Sequence, residues 1–189
     1  MEPKIIRPAD RVVLAFDPST RFTGYAVGVV RGTAVDLIEH GKIRADRSAD
    51  KVMVRVRTMG LDSAALIERI KPDDIIVETP AKQMPMGTIK DKHGKPVTNV
   101  QGQALYGTAV GAVMMGVWNY QNRKGADAVR VVTTASDVWS RGKKKHQRAA
   151  VMEMAYPEYS RAADTKTFDM ADAVGLMDWW NVMRLKELL

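Results

Sequence analysis

Residues 12–30 are VVLAFDPSTRFTGYAVGVV, an apolar run followed by one acidic residue, Asp17, and then by a second apolar run. The run before Asp17 predicts a buried strand, and residues 24–30 predict another strand after a short connection. An acidic side chain at the carboxyl end of a buried strand lies where α/β sheets bind their ligands. Because carboxylates are rarely buried without a partner, Asp17 is a candidate ligand for a metal ion.

The spacing of apolar residues along the rest of the chain indicates an α/β fold in one domain. Three consecutive strands and then alternating helices and strands predict a mixed five-stranded sheet flanked by helices. With 189 residues and no break in composition, the whole chain 1–189 is expected to form that domain. Ser48 is expected to cap the first helix. Further strands are predicted at 34–43, 74–78 and 128–132, and helices at 48–70, 99–120, 145–155 and 168–188.

Composition narrows the classes of function. A formal net charge of +7 favours an anionic partner, with nucleic acid the first candidate. The absence of cysteine excludes disulfides, thiolate zinc sites and thiol catalysis. The amino terminus lacks an apolar core, and the longest apolar stretch, residues 104–118, is too short for a membrane span. We therefore expect a cytoplasmic protein, in a bacterium or a phage-infected cell, that does not contact a membrane.

Three further acids occupy settings like that of Asp17. Glu78 ends the apolar run at 75–77, and Asp169 and Asp172 are three residues apart on a predicted helix, so both face the same way. Taken singly, Asp17 could be a turn residue, Glu78 a salt-bridged strand end and Asp169 a helix-start acid. Asp172 is harder to explain in this way, because its helix face is largely apolar. Four together predict a cluster, and clustered carboxylates repel one another unless a cation lies between them.

Ligands of oxygen only favour Mg²⁺, with Mn²⁺ able to substitute, over Zn²⁺. Two such ions about 4 Å apart can hydrolyse a phosphodiester without a covalent nucleophile. The acid pattern therefore predicts a metal-dependent nuclease.

The segment 79–100 is polar and long for a connection in a compact domain. It contains several glycines and prolines, and loops of this length are usually functional or mobile. We interpret it as a basic, mobile substrate loop. Its candidate phosphate contacts are Lys82, Lys90, Lys92 and Lys95.

The acid motifs resemble those of a known family. The pattern Asp17-Pro18-x-x-Arg21-x-Thr23-Gly24-Tyr25 resembles the opening motif of the RuvC family of Holliday junction resolvases, and residues 75–78 and 169–173 resemble its second acidic strand and its closing helix. The resemblance implies an RNase H-like fold, a homodimer, and paired Mg²⁺-dependent nicks across a four-way DNA junction. It also implies the metal ligands, which would be Asp17, Glu78, Asp169 and Asp172.

The same resemblance suggests roles for basic and interface residues. Lys145 matches the basic residue that family members place near the scissile phosphate, as part of the catalytic site. Its neighbours Lys143, Lys144 and Arg148 would contact the DNA backbone, although such a charge run is equally typical of a solvated helix face. The helix beginning near Gln101 resembles the family's central, dimer-forming helix, which would place Tyr106, Met114 and Met115 at the interface.

One departure from the family concerns specificity. Family members commonly carry an aromatic residue soon after the second acid, whereas residues 79–82 of this chain are Thr-Pro-Ala-Lys. A basic loop contacts phosphates readily but reads bases poorly. We therefore expect a broader preference for branched DNA than strict recognition of a cut-site sequence.

Three other classes fit parts of the pattern. An actin-like ATP-binding protein also places an acid after its first strand, but it needs two lobes and a second glycine-rich phosphate loop. A non-catalytic nucleic-acid binding module would be expected to lack one or more of the acids, and all four are present. A nuclease of the same fold that acts on structured RNA remains compatible with the sequence.

Overall fold

The structure, a computed structural model, describes residues 10–44, 51–80, 88–90, 93, 96–98, 100–140, 142–164 and 167–187. Its strands are β1 (Val12–Pro18), β2 (Phe22–Arg31), β3 (Ala34–Arg44), β4 (Asp74–Thr79), β5 (Thr88–Lys90), β6 (Pro96–Thr98) and β7 (Arg130–Ala135). Its helices are α1 (Val52–Ile70), α2 (Val100–Lys124), α3 (Ser136–Trp139), α4 (Lys145–Ala155) and α5 (Asp169–Leu185).

The central sheet has the strand order β3-β2-β1-β4-β7. β1 is antiparallel to β2 and parallel to β4, and β4 is parallel to β7. The predicted mixed five-stranded sheet with flanking helices is therefore confirmed. In β1 the residues Val13 to Phe16 are completely buried, because helices cover both faces of the sheet, and this explains why the strand is a continuous apolar run.

The two faces of β1 belong to two different cores. Leu14 and Phe16 pack with residues of α1 and α2, whereas Val13 and Ala15 pack with residues of α4 and α5. Successive side chains of a strand alternate between faces, so Asp17 follows Val13 and Ala15 toward α5. Glu78 follows Ile76, which is also in the α5 core, and faces the same way.

Element boundaries differ from the predicted ones at several places. β1 continues through Asp17 to Pro18, because both residues pair with β2. The first helix begins at Val52 with Lys51 at its N-cap, and Ser48 lies outside the described residues. The strand predicted at 128–132 runs from Arg130 to Ala135, since it continues alongside β4 as far as Thr79. The limits of α4 are those predicted.

Helix α2 packs closely on α1. A Cβ at Gly60 would lie 3.0 Å from the Cβ of Ala112, and a Cβ at Gly116 would lie 3.1 Å from that of Ala64. These small residues therefore allow the close approach of the two helices. No described helix is long and apolar enough to cross a membrane.

Part of the predicted substrate loop forms secondary structure. β5 and β6 pair as a two-stranded antiparallel sheet inside the segment 79–100. Lys90 lies at the end of β5 and pairs with Pro96. Lys82, Lys92 and Lys95 lie outside the described residues, so their predicted role in binding phosphate stays a prediction.

Candidate metal centre

One row of residues across the sheet organises the site. Lys42 on β3 is opposite Gly24 on β2, and Gly24 is opposite Asp17 on β1. On the other side of β1, Phe16 pairs with Val77 of β4, so the next residues, Asp17 and Glu78, are neighbours at the carboxyl ends of parallel strands. The sheet register therefore brings the first two predicted acids together.

Gly24 allows the first turn of α5 to lie directly on this row. A Cβ at Gly24 would be 2.1 Å from the carbonyl oxygen of Asp169 and 2.6 Å from its carbonyl carbon. Any side chain there would displace the α5 backbone. The glycine of the Thr23-Gly24-Tyr25 motif is thus required for the approach of Asp169 and Asp172 to the sheet.

All four predicted acids are buried. The exposed fraction is 6% for Asp17, 8% for Glu78, 5% for Asp169 and 2% for Asp172. Burial raises the pKa of Asp17 well above its ordinary value, and the negative charges of Glu78, Asp172 and Asp169 raise it further, while the Lys145 ammonium opposes them. Asp17 therefore lies in an environment that disfavours its charged form in the metal-free protein.

Glu78 is held by two aromatic side chains. The indole N–H of Trp139 donates to Glu78 Oε2 at 2.8 Å, and the hydroxyl of Tyr106 donates to Oε1 at 3.5 Å. Burial raises the pKa of Glu78 to about 7, although the Trp139 hydrogen bond acts in the opposite direction. Trp139 was not among the predicted site residues, because nothing in the sequence near it marks a partner 61 positions away.

Two cations lie among the acids. The Lys145 ammonium is 2.9 Å from Asp172 Oδ2 and 3.5 Å from Asp169 Oδ1. Arg148 binds Asp172 through two nitrogen–oxygen contacts of 2.7 and 2.9 Å, and its guanidinium lies 4.9 Å from the centre of the Trp139 ring. Burial lowers the pKa of Lys145, but the nearby charges of Asp17 and Asp172 outweigh this effect and raise it.

The contacts of the four acids show whether they could hold a divalent cation. Among the described residues, no three acids or histidines are already arranged as a cation cage, and Lys145 and Arg148 neutralise Asp172 and Asp169 instead. The available ligands are carboxylates, which suit Mg²⁺ or Mn²⁺. None of the described residues donates a hydrogen bond to Asp17, and its burial among other acids disfavours its charged form. A cation held between these carboxylates would stabilise that charge, so the four acids fit a bound divalent ion.

The predicted DNA contacts have different surroundings. Lys143 and Lys144 are exposed immediately before and at the start of α4. Arg148 binds Asp172 and the carbonyl oxygen of Lys143, and its predicted contact with the DNA backbone stays a prediction. Of the predicted interface residues, Tyr106 is half-buried beside Glu78, Met114 is buried and only Met115 is exposed.

Comparison with known proteins supports a resemblance to RuvC in sequence. No protein-family profile matches the chain. A crossover junction endodeoxyribonuclease RuvC from Cytophaga hutchinsonii is 32% identical over 71 residues, which are 38% of this chain and 35% of that protein. The match thus spans about a third of the relative's length.

Solved structures resemble the chain over almost its whole length. Thermus thermophilus RuvC in complex with a Holliday junction substrate superposes with a TM-score of 0.64 at 15% identity, covering 94% of this chain and 97% of that one. The yeast mitochondrial Holliday junction resolvase gives 0.57 at 14% identity, covering 98% and 87%. The fowlpox virus Holliday junction resolvase gives 0.53 at 15% identity, covering 90% and 98%. The resemblance inferred from the acid motifs is therefore confirmed: the chain is RuvC-like, with the RNase H-like fold of these resolvases.

Proposed function

We propose that this protein is a Mg²⁺-dependent endonuclease that resolves four-way DNA junctions by paired nicks. The observation that carries the proposal is the convergence of four buried acids from β1, β4 and α5, one of them without a hydrogen-bond partner among the described residues. A net charge of +7 supports a polyanionic substrate. The similarity to RuvC and to two other junction resolvases supports the choice of a branched substrate.

In this proposal Asp17, Glu78, Asp169 and Asp172 hold the metal ions. The chemistry that divalent ions supply in such a site is activation of the attacking water and stabilisation of the leaving oxygen. Lys145 pairs with Asp172 and Asp169, and a cation held by these acids would compete with it. Its ammonium would then be free to bind a phosphate oxygen near the scissile bond, as a charged hydrogen-bond donor.

The substrate test compares a labelled four-way junction with a fork and a linear duplex, each with Mg²⁺ and with chelator. We expect paired nicks on the junction that require Mg²⁺. Asp17→Asn should abolish the nicks while leaving junction binding nearly intact, because Asp17 holds metal and does not contact DNA. Equal cutting of the linear duplex would contradict junction selectivity, and unchanged cutting by Asp17→Asn would remove Asp17 from the site.

Paired nicks require two active sites, which a two-fold homodimer supplies. An exposed stripe on α2 supports such an interface. A Cβ at Gly107 or Gly111 would meet no atom within 4 Å, and the side chains of Met115 and Trp118 on the same helix face are 54% and 48% exposed. Burial of apolar surface would favour pairing of this stripe with a second copy.

Sedimentation tests this arrangement. The unmodified protein should sediment as a dimer at micromolar concentration, and Met115→Glu should shift it toward the monomer because it buries a charge in the interface. Met154, which is 86% exposed on α4, offers the matched control, and Met154→Glu should remain dimeric. A monomeric unmodified protein would contradict the paired-nick mechanism.

A further inference from the structure

Lys42 is an almost completely buried lysine outside the predicted acid cluster. Its side chain on β3 is 4% exposed. Its ammonium lies 2.6 Å from Asp164 Oδ1, 3.3 Å from Thr167 Oγ1 and 3.5 Å from Asp169 Oδ2. An ammonium has three N–H donors, and three oxygens of the segment 164–169 surround it.

Asp164 anchors this lysine to the start of α5. Its other oxygen, Oδ2, accepts hydrogen bonds from the Tyr159 hydroxyl and from the backbone N–H of Ala171, each at 3.1 Å. The side chain of Asp164 is completely buried, so its charge compensates that of Lys42. A paired lysine can hold Asp169 in place without cancelling the negative charge of that carboxylate.

Thr167 completes the arrangement. Its hydroxyl donates to Asp169 Oδ2 at 2.6 Å, and the left-handed backbone of Phe168, with φ of 52°, turns the chain between the two residues. Asp169 Oδ2 is therefore held by both Lys42 and Thr167. The other oxygen, Oδ1, faces the Lys145 ammonium at 3.5 Å, and thus faces the acid cluster.

We infer that Lys42 and Thr167 are positioning residues that fix the Asp169 carboxylate so that Oδ1 is presented to a bound metal ion. This inference rests on the proposed function of the acid cluster. Groups that hold metal ligands from behind contribute strongly to affinity, because they fix the ligand's orientation before the metal arrives. Lys42 acts through Asp169 and does not itself contact substrate or metal.

The test measures Mn²⁺ binding to the DNA-free protein by electron paramagnetic resonance, where free and bound ions give distinct signals. Lys42→Met keeps the length of the side chain and removes the ammonium. It should weaken Mn²⁺ binding by roughly 10- to 100-fold, the range found when such supporting groups are removed. Asp17→Asn, measured in parallel, reports whether the acid cluster is the Mn²⁺ site.

Thr167 supplies a second pair of variants that leaves every charged group in place. Thr167 is exposed, so Thr167→Val and Thr167→Ser should both fold. Thr167→Val removes the hydroxyl and should also weaken Mn²⁺ binding, whereas Thr167→Ser keeps the hydroxyl and should bind as the unmodified protein does. Rescue by serine separates a hydrogen-bonding role from simple packing.

The matched control breaks the ion pair of another buried carboxylate in the same sheet. Asp74 at the opposite end of β4 from Glu78 is completely buried and binds Arg11 at 2.6 and 2.9 Å. Asp74→Asn should lower the thermal midpoint as Lys42→Met does, but it should leave Mn²⁺ affinity unchanged.

The two proposals fail in different ways. Unmodified affinity in both Lys42→Met and Thr167→Val, or an equal loss in Asp74→Asn, would overturn the positioning role while leaving the metal site in place. No Mn²⁺ binding by the unmodified protein, or unchanged binding by Asp17→Asn, would overturn the metal site itself and the positioning role with it. The positioning role is supported only if Lys42→Met or Thr167→Val weakens binding and Asp74→Asn does not.

Discussion

Replacing Gly24 by alanine should disrupt the acid cluster without removing any of its chemical groups. The added Cβ would lie 2.1 Å from the carbonyl oxygen of Asp169 and 2.6 Å from its carbonyl carbon, whereas ordinary contacts begin at 3.4 Å. Both atoms belong to the backbone and cannot rotate away. The first turn of α5, which carries Asp169 and Asp172, must therefore move away from the sheet by about 1 Å in an interior that is otherwise closely packed.

This displacement of α5 should lower both the stability of the protein and its rate of cleavage. Overpacking of a well-filled interior costs about 1–3 kcal/mol, which corresponds to a decrease in Tm of roughly 2–12 °C for a domain of this size. A misplacement of about 1 Å at a reacting centre costs on the order of 100-fold in rate. We therefore expect a folded but less stable Gly24→Ala protein with about 100-fold slower junction cleavage and weaker Mn²⁺ binding.

The assay pairs thermal unfolding and Mn²⁺ titration with single-turnover cleavage of a four-way junction. Gly107→Ala is the matched control for unfolding and Mn²⁺ binding, because a Cβ there meets no atom within 4 Å. Removing a glycine from a helix interior should raise its stability by about 0.5–1 kcal/mol. If Gly24→Ala unfolded, bound Mn²⁺ and cleaved as the unmodified protein does, the close packing of α5 on β2 would not organise the site.

Two further predictions concern charge. Burial raises the pKa of Glu78 from about 4.5 to about 7, so the folded metal-free protein holds this proton more tightly than the unfolded chain does. The contribution of Glu78 to stability is therefore fully present below pH 4.5 and is lost as pH rises through about 7. In the presence of chelator, Glu78→Gln should reduce the dependence of stability on pH and stabilise the protein at pH 8 by about 3 kcal/mol. If Glu78→Gln were no more stable than the unmodified protein at pH 8, burial would not raise the pKa of Glu78. Replacing both Lys143 and Lys144 by alanine should weaken junction binding and reduce its salt dependence by up to about two counterions. An unchanged salt slope in a binding titration would show that these exposed lysines do not contact phosphate.

The sequence predicted the sheet and the acid cluster because both depend on local patterns. The apolar run before Asp17 and the one before Glu78 indicate buried parallel strands, and parallel strands end at the same edge of a sheet. The spacing of Asp169 and Asp172 places both on one helix face. The basic run that begins α4 was located correctly, but the ion pairs between Arg148 and Asp172 depend on how α4 packs on α5, which no local pattern reveals.

Lys42 was missed for a physical reason. Val35 and Leu37 of β3 face the α5 core, and simple alternation would then place Lys42 on the opposite face. A register shift between Val27 and Gly28 of β2 leaves one extra residue between Leu37 and Glu39 on β3. Such a bulge reverses the alternation beyond it, so Lys42 points toward Asp164 and Asp169.

The role of Trp139 could not be predicted either. Its contact with Glu78 joins residues 61 positions apart and depends on the short helix α3, which follows β7. An indole in a helix of an α/β protein is more often a packing residue than a hydrogen-bond donor to a catalytic acid. Only the sheet register, with Glu78 beside Thr134 of β7, brings the two together.

Whether the buried acids form a divalent metal site can be seen by anomalous scattering from crystals grown with Mn²⁺. We expect anomalous density bound by carboxylate oxygens of Asp17 and Glu78, with the Lys145 ammonium moved away from Asp172. Density confined to other surfaces, or a Lys145–Asp172 contact that persists at saturating Mn²⁺ with no density at Asp17, would contradict it.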